Sequence, residues 1–278
     1  MLLDKVRTQS APLVMGVLNV TPDSFSDGGR FDRPAAALDR AAQMVADGVD
    51  IIDVGGESTR PGATPVSIDQ ELNRVMPVLE SLVARFDVPV SVDTSSAQVM
   101  RAAAAAGAAM INDVRALQRP GALEAAAESG LPICLMHMQG DPQTMQARPA
   151  YSNVLEEVQG FLEERIAACL AAGIARQSLL IDPGFGFGKS LEHNLVLLRE
   201  LATFRGLGLP MLVGMSRKSM IDRITGQPVD QRLAGSLALA VLAAERGARI
   251  IRVHDVRETI DALRVTHAVL NGMEESAG

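Results

Sequence analysis

The 278-residue sequence contains no Trp and one Tyr, and aromatic residues make up only 3% of it. Proteins that bind single-stranded nucleic acid stack the bases on aromatic side chains, so this composition argues against such a platform. The chain also lacks a run of basic residues: 26 Lys and Arg face 33 Asp and Glu, for a net charge of −7. An acidic chain of this kind is a poor partner for nucleic acid or an anionic membrane. We therefore expect local cations and N–H groups to bind any anionic ligand.

Cysteine and long apolar segments are equally scarce. Cys134 lies in an apolar run and Cys169 in a helical pattern, which predicts two buried free thiols in a reducing compartment. The longest apolar run, residues 237–244, is far shorter than the roughly 20 residues that span a bilayer. Residues 1–11 are polar and lack the apolar core of a secretion signal. These absences predict a cytoplasmic protein with no membrane segment.

Short apolar runs alternate with helical patterns along the chain. The runs are 13–18, 50–54, 90–93, 109–113, 132–136, 179–182, 211–215 and 250–253. The helical patterns that follow them are 34–47, 68–85, 97–106, 122–128, 153–172, 191–203, 231–246 and 257–270. Val/Ile/Leu-rich runs that alternate with helices are typical of a parallel sheet buried on both faces. Eight such units predict an α/β protein with a (β/α)8 TIM barrel, and an open doubly wound sheet is the alternative.

No repeat, linker or low-complexity tract divides the chain. We therefore predict one barrel domain over residues 1–278, with 1–11 and 273–278 peripheral to it. The helix predicted at 231–246 is apolar around much of its circumference, whereas a barrel helix needs only one apolar face. This excess indicates either a subunit interface or a helix covered by its own neighbours.

Nearly every predicted strand ends in a residue that can take part in chemistry. In chain order these are Asn19, Asp53, Asp93, Asn112, His137, Asp182, Lys218, Arg252 and His254. In a barrel the carboxyl ends of all strands meet at one mouth, where the active sites of such enzymes lie. Helix capping would explain Ser95, Asp113 and Asp255. It does not explain Arg252 and His254, which occupy alternate positions of one strand and so point the same way. We assign no role to His137.

Two loops stand out for their composition. Residues 15–30 read MGVLNVTPDSFSDGGR, an apolar run that passes into a loop whose Asn and Asp side chains suit an anionic or metal-bound substrate. Residues 184–190 read GFGFGKS, which is one residue short of a P-loop and follows Asp-Pro. We therefore do not expect this second loop to bind ATP.

Four motifs carry a resemblance to a known family. They are MGVLNVTPDSFSDGG at 15–29, DVGGESTRPG at 53–62, DPGFGFGK at 182–189 and RVHD at 252–255. With them the chain, from about residue 12 to 270, resembles the bacterial dihydropteroate synthases, folate-pathway transferases that sulfonamides inhibit. The resemblance implies condensation of 6-hydroxymethyl-7,8-dihydropterin pyrophosphate with 4-aminobenzoate to give 7,8-dihydropteroate and pyrophosphate. Pyrophosphate would leave a pterin methylene cation, which the arylamine then attacks.

The resemblance also implies a role for individual residues. The pterin would be bound by Asp93, Asn112, Met136, Asp182, Gly214 and Lys218. The pyrophosphate would be bound by Asn19, Arg252 and His254, with Mg²⁺ as cofactor and Asn19 as its protein ligand. The aminobenzoate would be bound by Thr59, Arg60, Pro61, Phe187, Ser216 and Lys218. Catalysis would rest on Asp93 and Lys218, with the loop residues Asp27 and Asp32 as further carboxylates. Members of this family are typically homodimers.

Three other functions fit parts of the pattern. A pterin- or folate-dependent methyltransferase barrel would share the Asp and Asn contacts to the pterin, but it would lack the loops at 19–27 and 58–61. A Schiff-base aldolase would use Lys218 as its nucleophile. A non-catalytic pterin-binding protein would bind the ligand without releasing pyrophosphate.

Overall fold

The computed structural model describes residues 2–21, 33–58, 62–63, 66–141, 144–146 and 149–272. Eight parallel strands form a closed barrel, in which each strand pairs with the next along the chain and the last pairs with the first. The strands are β1 (Leu13–Asn19), β2 (Ile51–Gly55), β3 (Val90–Asp93), β4 (Met110–Asp113), β5 (Ile133–Met136), β6 (Leu179–Asp182), β7 (Met211–Val213) and β8 (Ala248–Val253). The predicted (β/α)8 TIM barrel is therefore confirmed.

Helix α1 precedes the first strand, and the other helices follow the strands and cover the outside of the barrel. They are α1 (Leu2–Thr8), α2 (Arg33–Ala46), α3 (Ile68–Arg85), α4 (Ala97–Ala105), α5 (Ala122–Ser129), α6 (Val154–Ala171), α7 (Leu191–Arg199), α8 (Ser219–Thr225), α9 (Leu233–Glu245) and α10 (Val256–Asn271). The helix predicted at 191–203 instead ends at Arg199 and is followed by a 3-10 helix at Leu201–Leu207. Elsewhere the predicted and observed bounds differ by a few residues.

Local sequence explains where α3 begins. The Ser67 hydroxyl accepts a hydrogen bond from the Gln70 backbone N–H, and the Gln70 side chain accepts one from the Ser67 N–H. This reciprocal pair satisfies two N–H groups that have no partner within the helix. It fixes the direction in which the chain leaves the loop after β2.

The lower interior of the barrel is filled by apolar side chains. The residues of this floor are Leu13, Met15, Ile51, Met110, Cys134, Leu180, Leu212 and Ile250. All are fully buried. Complete burial of a Leu, Ile or Met side chain contributes about 1.5–3 kcal/mol relative to exposure, so the floor is a strong stabilising element. It closes the barrel below the site.

Helix α1 lies beneath this floor. Val6 of α1 is fully buried and belongs to the same apolar cluster. Arg249 of β8 donates to three carbonyl oxygens of this segment, those of Val6 (2.9 Å), Gln9 and Ser10 (3.4 Å). Residues 1–11 were expected to be peripheral to the barrel, but Leu2 and Leu3 of α1 also pack against the floor. The structure shows instead that the segment closes the lower end of the barrel.

Two further expectations can be compared with the described part of the chain. Cys134 and Cys169 are both buried and free, as predicted. None of the helices in the described ranges is long and apolar enough to cross a membrane.

Candidate active site

A polar layer lies directly above the apolar floor. Side chains of a strand alternate between its two faces, so the residue two positions after a floor residue also faces the interior. The residues two positions on from Ile51, Met110, Cys134, Leu180, Leu212 and Ile250 are Asp53, Asn112, Met136, Asp182, Gly214 and Arg252. Five of these six were predicted site residues. The alternation of the strands thus brings them to one level, toward the carboxyl ends where barrel enzymes act.

Arg252 connects three strands within this layer. Its Nε donates to Asp53 Oδ2 at 2.6 Å, and its Nη2 donates to Asp93 Oδ2 at 2.8 Å. The amide nitrogen of Asn112 donates to the same Asp53 oxygen at 3.1 Å. Asp53 therefore links a cation of β8 to an amide of β4, each two strands away around the barrel. The resemblance assigns Arg252 to pyrophosphate, but two of its nitrogens donate to these carboxylates.

Asp53 has a central position that the sequence analysis did not recognise. Its side chain is fully buried, and its second carboxylate oxygen has no hydrogen-bond partner among the described residues. A buried carboxylate usually requires a paired cation, which Arg252 provides. An Asp between Ile52 and Val54, in a strand buried on both faces, was the signal that could have identified it.

The charges of this layer influence one another strongly. Burial raises the pKa of Asp93 to about 7, although Arg252 acts against it, and the negative charge of Asp53 adds to the rise. Burial also raises the pKa of Asp182. For Arg252, burial disfavours the charge, but Asp53 and Asp93 outweigh burial and raise its pKa. The guanidinium therefore stays charged while Asp93 can exchange a proton near neutral pH.

Asp182 and Lys218 occupy the opposite side of the mouth. Asp182 Oδ1 accepts a hydrogen bond from the Gly184 N–H at 2.7 Å, and the side chain is buried. Lys218 Nζ donates to the Phe185 carbonyl and lies 4.5 Å from the centroid of the Phe187 ring. Burial lowers the pKa of Lys218 to about 8, although the nearby Asp182 favours the ammonium form. A carboxylate and a cation thus face the same space.

Met136 and Gly214 form the walls between these charged groups. Met136 is buried and pairs in register with Asp182. A Cβ on Gly214 would lie 3.5 Å from the Cβ of Arg252, which is ordinary contact. Gly214 therefore lies directly beside Arg252.

Asn19 and Asp93 converge above Gly55. A Cβ on Gly55 would lie 3.6 Å from both Asn19 Oδ1 and Asp93 Oδ2. These are oxygen donors of the kind that Mg²⁺ prefers. No group of three or more His, Cys, Asp and Glu side chains that could hold a metal occurs within the described ranges. A metal bound here would need ligands in addition to Asn19, and Mg²⁺ commonly takes these from water and substrate phosphate.

Ser216 and His254 are in direct contact. The Ser216 hydroxyl lies 3.1 Å from His254 Nδ1 and accepts the His254 backbone N–H at 3.2 Å. Sequence reasoning assigned Ser216 to aminobenzoate and His254 to pyrophosphate. The structure brings the two together at the ends of β7 and β8, so the two anionic groups would lie close to each other.

Lys189 shows why the GFGFGKS segment is not a phosphate loop. Its side chain is only 2% exposed, and its Nζ donates to the carbonyls of Gly184 (2.9 Å) and Phe187 (3.1 Å). The same nitrogen lies 2.8 Å from Nδ1 of His137. The lysine therefore binds its own loop and a neighbouring strand end.

Several predicted site residues lie outside the described ranges. They are Asp27, Asp32, Thr59, Arg60 and Pro61. Their assigned roles in catalysis and in binding aminobenzoate remain predictions.

Comparison with known proteins identifies close relatives. A family model for pterin-binding enzymes matches residues 15–254. The dihydropteroate synthase of Escherichia coli strain K12 is 58% identical over 265 residues, which cover 95% of this chain and 94% of that protein.

Solved structures agree with this similarity. The Yersinia pestis dihydropteroate synthase in complex with a sulfonamide drug is 56% identical, with a TM-score of 0.90 over 94% of each chain. The Xanthomonas albilineans dihydropteroate synthase with 4-aminobenzoic acid is 53% identical, also with a TM-score of 0.90 over 94% of each chain.

Proposed function

Because the chain belongs to the dihydropteroate synthases of the pterin-binding enzyme family, we propose that it condenses 6-hydroxymethyl-7,8-dihydropterin pyrophosphate with 4-aminobenzoate. The products are 7,8-dihydropteroate and pyrophosphate. The observation that carries the proposal is the convergence of Asp93, Asn112, Asp182, Lys218 and Arg252 in one layer at the mouth of the barrel. The relatives give no support to the alternative of a methyltransferase barrel.

The pterin ring fits the hydrogen-bonding capacity of this layer. The edge of the pterin that carries its amino group has two adjacent N–H donors, which one carboxylate can accept together. Asp182 has this capacity, since the Gly184 N–H uses only one of its lone-pair positions. Asn112 keeps its carbonyl oxygen and one N–H for the ring after donating to Asp53. Lys218 supplies a donor for the ring carbonyl and N5 side, and Met136 and Gly214 pack against the faces.

Asn19, Arg252 and His254 would hold the pyrophosphate. Arg252 has one nitrogen, Nη1, beyond the two that bind Asp53 and Asp93, and His254 lies at the same mouth beside Ser216. Asn19 would hold Mg²⁺, which would neutralise negative charge on the leaving group. The chain's own contribution is to orient the diphosphate away from the pterin ring.

The reaction begins when the bond between the pterin methylene carbon and the diphosphate oxygen breaks. The electron pair leaves with pyrophosphate, and a cation forms on the methylene carbon and the ring. A fixed carboxylate close to such a cation stabilises it without reorganisation, and Asp93 fills this role. The arylamine nitrogen then forms the new bond and releases a proton. An aromatic amine is largely unprotonated at neutral pH, so no strong base is required.

Phe187, Ser216 and Lys218 would bind the aminobenzoate. The Phe187 ring offers an apolar wall, while the Lys218 ammonium and the Ser216 hydroxyl offer donors for the carboxylate. Thr59, Arg60 and Pro61 would complete this pocket. Sulfonamides share the arylamine group, and we propose that they bind in this pocket; the Yersinia pestis relative has been solved in complex with a sulfonamide drug.

Pyrophosphate release tests this function. The protein would be incubated with the dihydropterin pyrophosphate and Mg²⁺, with and without 4-aminobenzoate, and both pyrophosphate and dihydropteroate would be measured. We expect release that depends on 4-aminobenzoate and falls at least about a hundredfold in Asp93→Ala and Lys218→Ala. Tight pterin binding with no dihydropteroate formed by the unaltered protein would contradict the proposal.

A homodimer is the proposed assembly. Helix α9 offers little polar surface, and apolar side chains of the adjacent α10 are exposed: Val265 by 65%, Val269 by 79% and Leu270 by 55%. Exposed apolar side chains that cluster on neighbouring helices are typical of an interface between subunits. Sedimentation of the protein and of Val269→Glu tests this, because a monomer in both at micromolar concentration would exclude the dimer.

The cytoplasm is the proposed location. Two free, buried cysteines suit a reducing compartment. Fractionation of cells that express the chain would test this.

A further inference from the structure

All five carbonyl groups of the loop from Gly184 to Gly188 accept hydrogen bonds from side chains. The donors, in loop order, are Lys189, Lys218, Gln146, Lys189 and Tyr151. Loops normally direct most of their carbonyls to water. This loop is instead held through its main chain, and only Lys218 among the donors has a role in the proposed reaction.

Lys189 is the central donor. Its ammonium binds the first and fourth carbonyls of the loop and also His137 Nδ1, and the side chain is 2% exposed. A lysine ammonium has three hydrogens, which match these three acceptors. Burial lowers the pKa of Lys189 well below its ordinary value, although the nearby Asp182 favours the ammonium form. His137 acts as the acceptor and is therefore neutral: burial and then the charge of Lys189 lower its pKa to about 3. The loop, the end of β5 and the start of α7 are thus joined at one nitrogen.

The loop has no space to relax toward β5. Gly184 and Gly188 have φ angles of 71° and 61°, in the left-handed region that favours glycine. A Cβ at Gly184 would lie 1.8 Å from the His137 carbonyl oxygen, and one at Gly188 would lie 2.4 Å from that of Gln139. The backbone therefore packs directly against the strand end, in a conformation that the five hydrogen bonds from four side chains select.

Lys218 depends on this conformation. Its ammonium donates to the second carbonyl of the loop, that of Phe185, and lies over the ring of Phe187. We propose that Lys189 is a positioning residue: it holds the 184–188 loop so that the Phe185 carbonyl and the Phe187 ring fix the ammonium of Lys218. The inference rests on the proposed function for its kinetic consequence. It goes beyond that function because Lys189 would touch neither substrate.

Lys189→Met tests the inference in the full-length protein. Methionine fills similar space but donates no hydrogen bond, so the loop loses two contacts. Phe187 and Lys218 both border the proposed aminobenzoate pocket, whereas the pterin keeps Asp182 and Asn112 when Lys218 is displaced. We expect KM for 4-aminobenzoate to rise about tenfold or more, and KM for the dihydropterin pyrophosphate to change less than about threefold.

Two variants at uncharged donors provide a second measurement in case Lys189→Met does not fold. Gln146→Leu and Tyr151→Phe each remove one donor, to the Gly186 and Gly188 carbonyls respectively. Each should raise KM for 4-aminobenzoate by about two- to fivefold, since one hydrogen bond is lost. Gln159→Leu is the matched control, because the side chain of Gln159 donates to Glu163 on the exposed side of α6, away from the loop. It should leave both KM values unchanged.

Hydrogen exchange measures the loop without reference to activity. The N–H groups of Gly186 and Phe187 are bonded to Asn194 Oδ1 (2.7 Å) and the Gly184 carbonyl (3.2 Å), so they should exchange slowly in the unaltered protein. Faster exchange in Lys189→Met, together with the KM split, supports the inference. Unchanged exchange, or an equal rise of both KM values with a lower Tm, would overturn it. Failure of the unaltered protein to release pyrophosphate would instead overturn the proposed function, and the kinetic role of Lys189 with it.

Discussion

Arg217 donates through two guanidinium nitrogens to both carboxylate oxygens of Asp255. The pair joins the loop after β7 to the end of β8, next to Ser216, Lys218 and His254. Arg217 also has a φ of 59°, in the left-handed region that is unfavourable for residues other than glycine. The ion pair and the backbone strain at Arg217 therefore oppose each other in the free energy of unfolding.

Replacing Arg217 separates these two contributions. Arg217→Ala loses the ion pair and keeps the strained φ, whereas Arg217→Gly loses the pair but relieves the strain. We expect the glycine variant to be more stable than the alanine variant by about 1 kcal/mol, or roughly 2–4 °C in Tm. Thermal unfolding followed by circular dichroism would measure the difference. Equal Tm values for the two variants would show that the left-handed conformation carries no cost.

The pH dependence of activity should be bell-shaped. Asp93 must be ionised to stabilise a cation, and its pKa is raised to about 7 by burial, so activity should fall as pH drops through about 7. Lys218 must be protonated to donate, and its pKa is lowered to about 8 by burial, so activity should fall as pH rises through about 8. The measurement is kcat/KM for the dihydropterin pyrophosphate, which reports on the free enzyme.

Lys218→Arg separates the two limbs of this profile. Arginine stays protonated throughout, so the alkaline limb should disappear even if the maximum rate is lower. An unchanged alkaline limb in this variant would assign that titration to another group.

Asp53→Asn should destabilise the protein and slow the reaction. The substitution removes one of the two carboxylates that bind Arg252 and places an amide next to the Asn112 amide. Disruption of a buried ion pair typically costs about 3 kcal/mol or more, and kcat/KM should fall at least about tenfold because Arg252 and Asn112 lose their orientation. Urea denaturation and steady-state kinetics would measure the two effects.

Glu128→Gln is the control for Asp53→Asn. Glu128 pairs with Arg101 on the surface, where the ion pair is exposed to solvent. We expect no measurable change in stability or rate from this variant. A similar loss in both variants would mean that burial of the ion pair is unimportant.

Arg249→Met should release α1 from the lower end of the barrel. The three carbonyls that Arg249 binds would lose their donor, at a cost of about 2 kcal/mol in unfolding free energy. Hydrogen exchange of residues 2–8 should become faster, while KM for both substrates should stay unchanged, because α1 lies opposite the mouth. A change in KM would indicate that the packing of the floor affects the geometry of the site above it.

The sequence predicted the barrel and most of the polar layer for one physical reason. Alternating strand and helix periods define a parallel barrel, and the barrel places every strand end at the same mouth. Asp93, Asn112, Asp182, Lys218 and Arg252 could therefore be assigned to one site without coordinates. Their residue types and their positions at the strand ends were sufficient to place them at one mouth.

The contacts between these residues could not be predicted in the same way. Asp53 binds Arg252 across 199 positions of sequence, and this pairing depends on barrel closure and strand register. Lys189 and His137 meet only because the loop after β6 folds back onto the end of β5. Helix α1 was missed because its contacts, through Leu2, Leu3 and Val6, are with floor residues from several distant strands. In each case distant parts of the chain determine the contact, and no local pattern records it.

In the 184–188 loop held by Lys189, the course of the main chain is independent of the side chain that borders the pocket. Its course is specified by its carbonyl oxygens and by the glycines at 184 and 188, and not by the side chain at position 187. Phe187 can therefore be exchanged for other residues while the course of the main chain is kept, so the contour of the neighbouring pocket is open to evolutionary change at one position. For protein engineering, residue 187 is the site to randomise when a different arylamine is to be accepted.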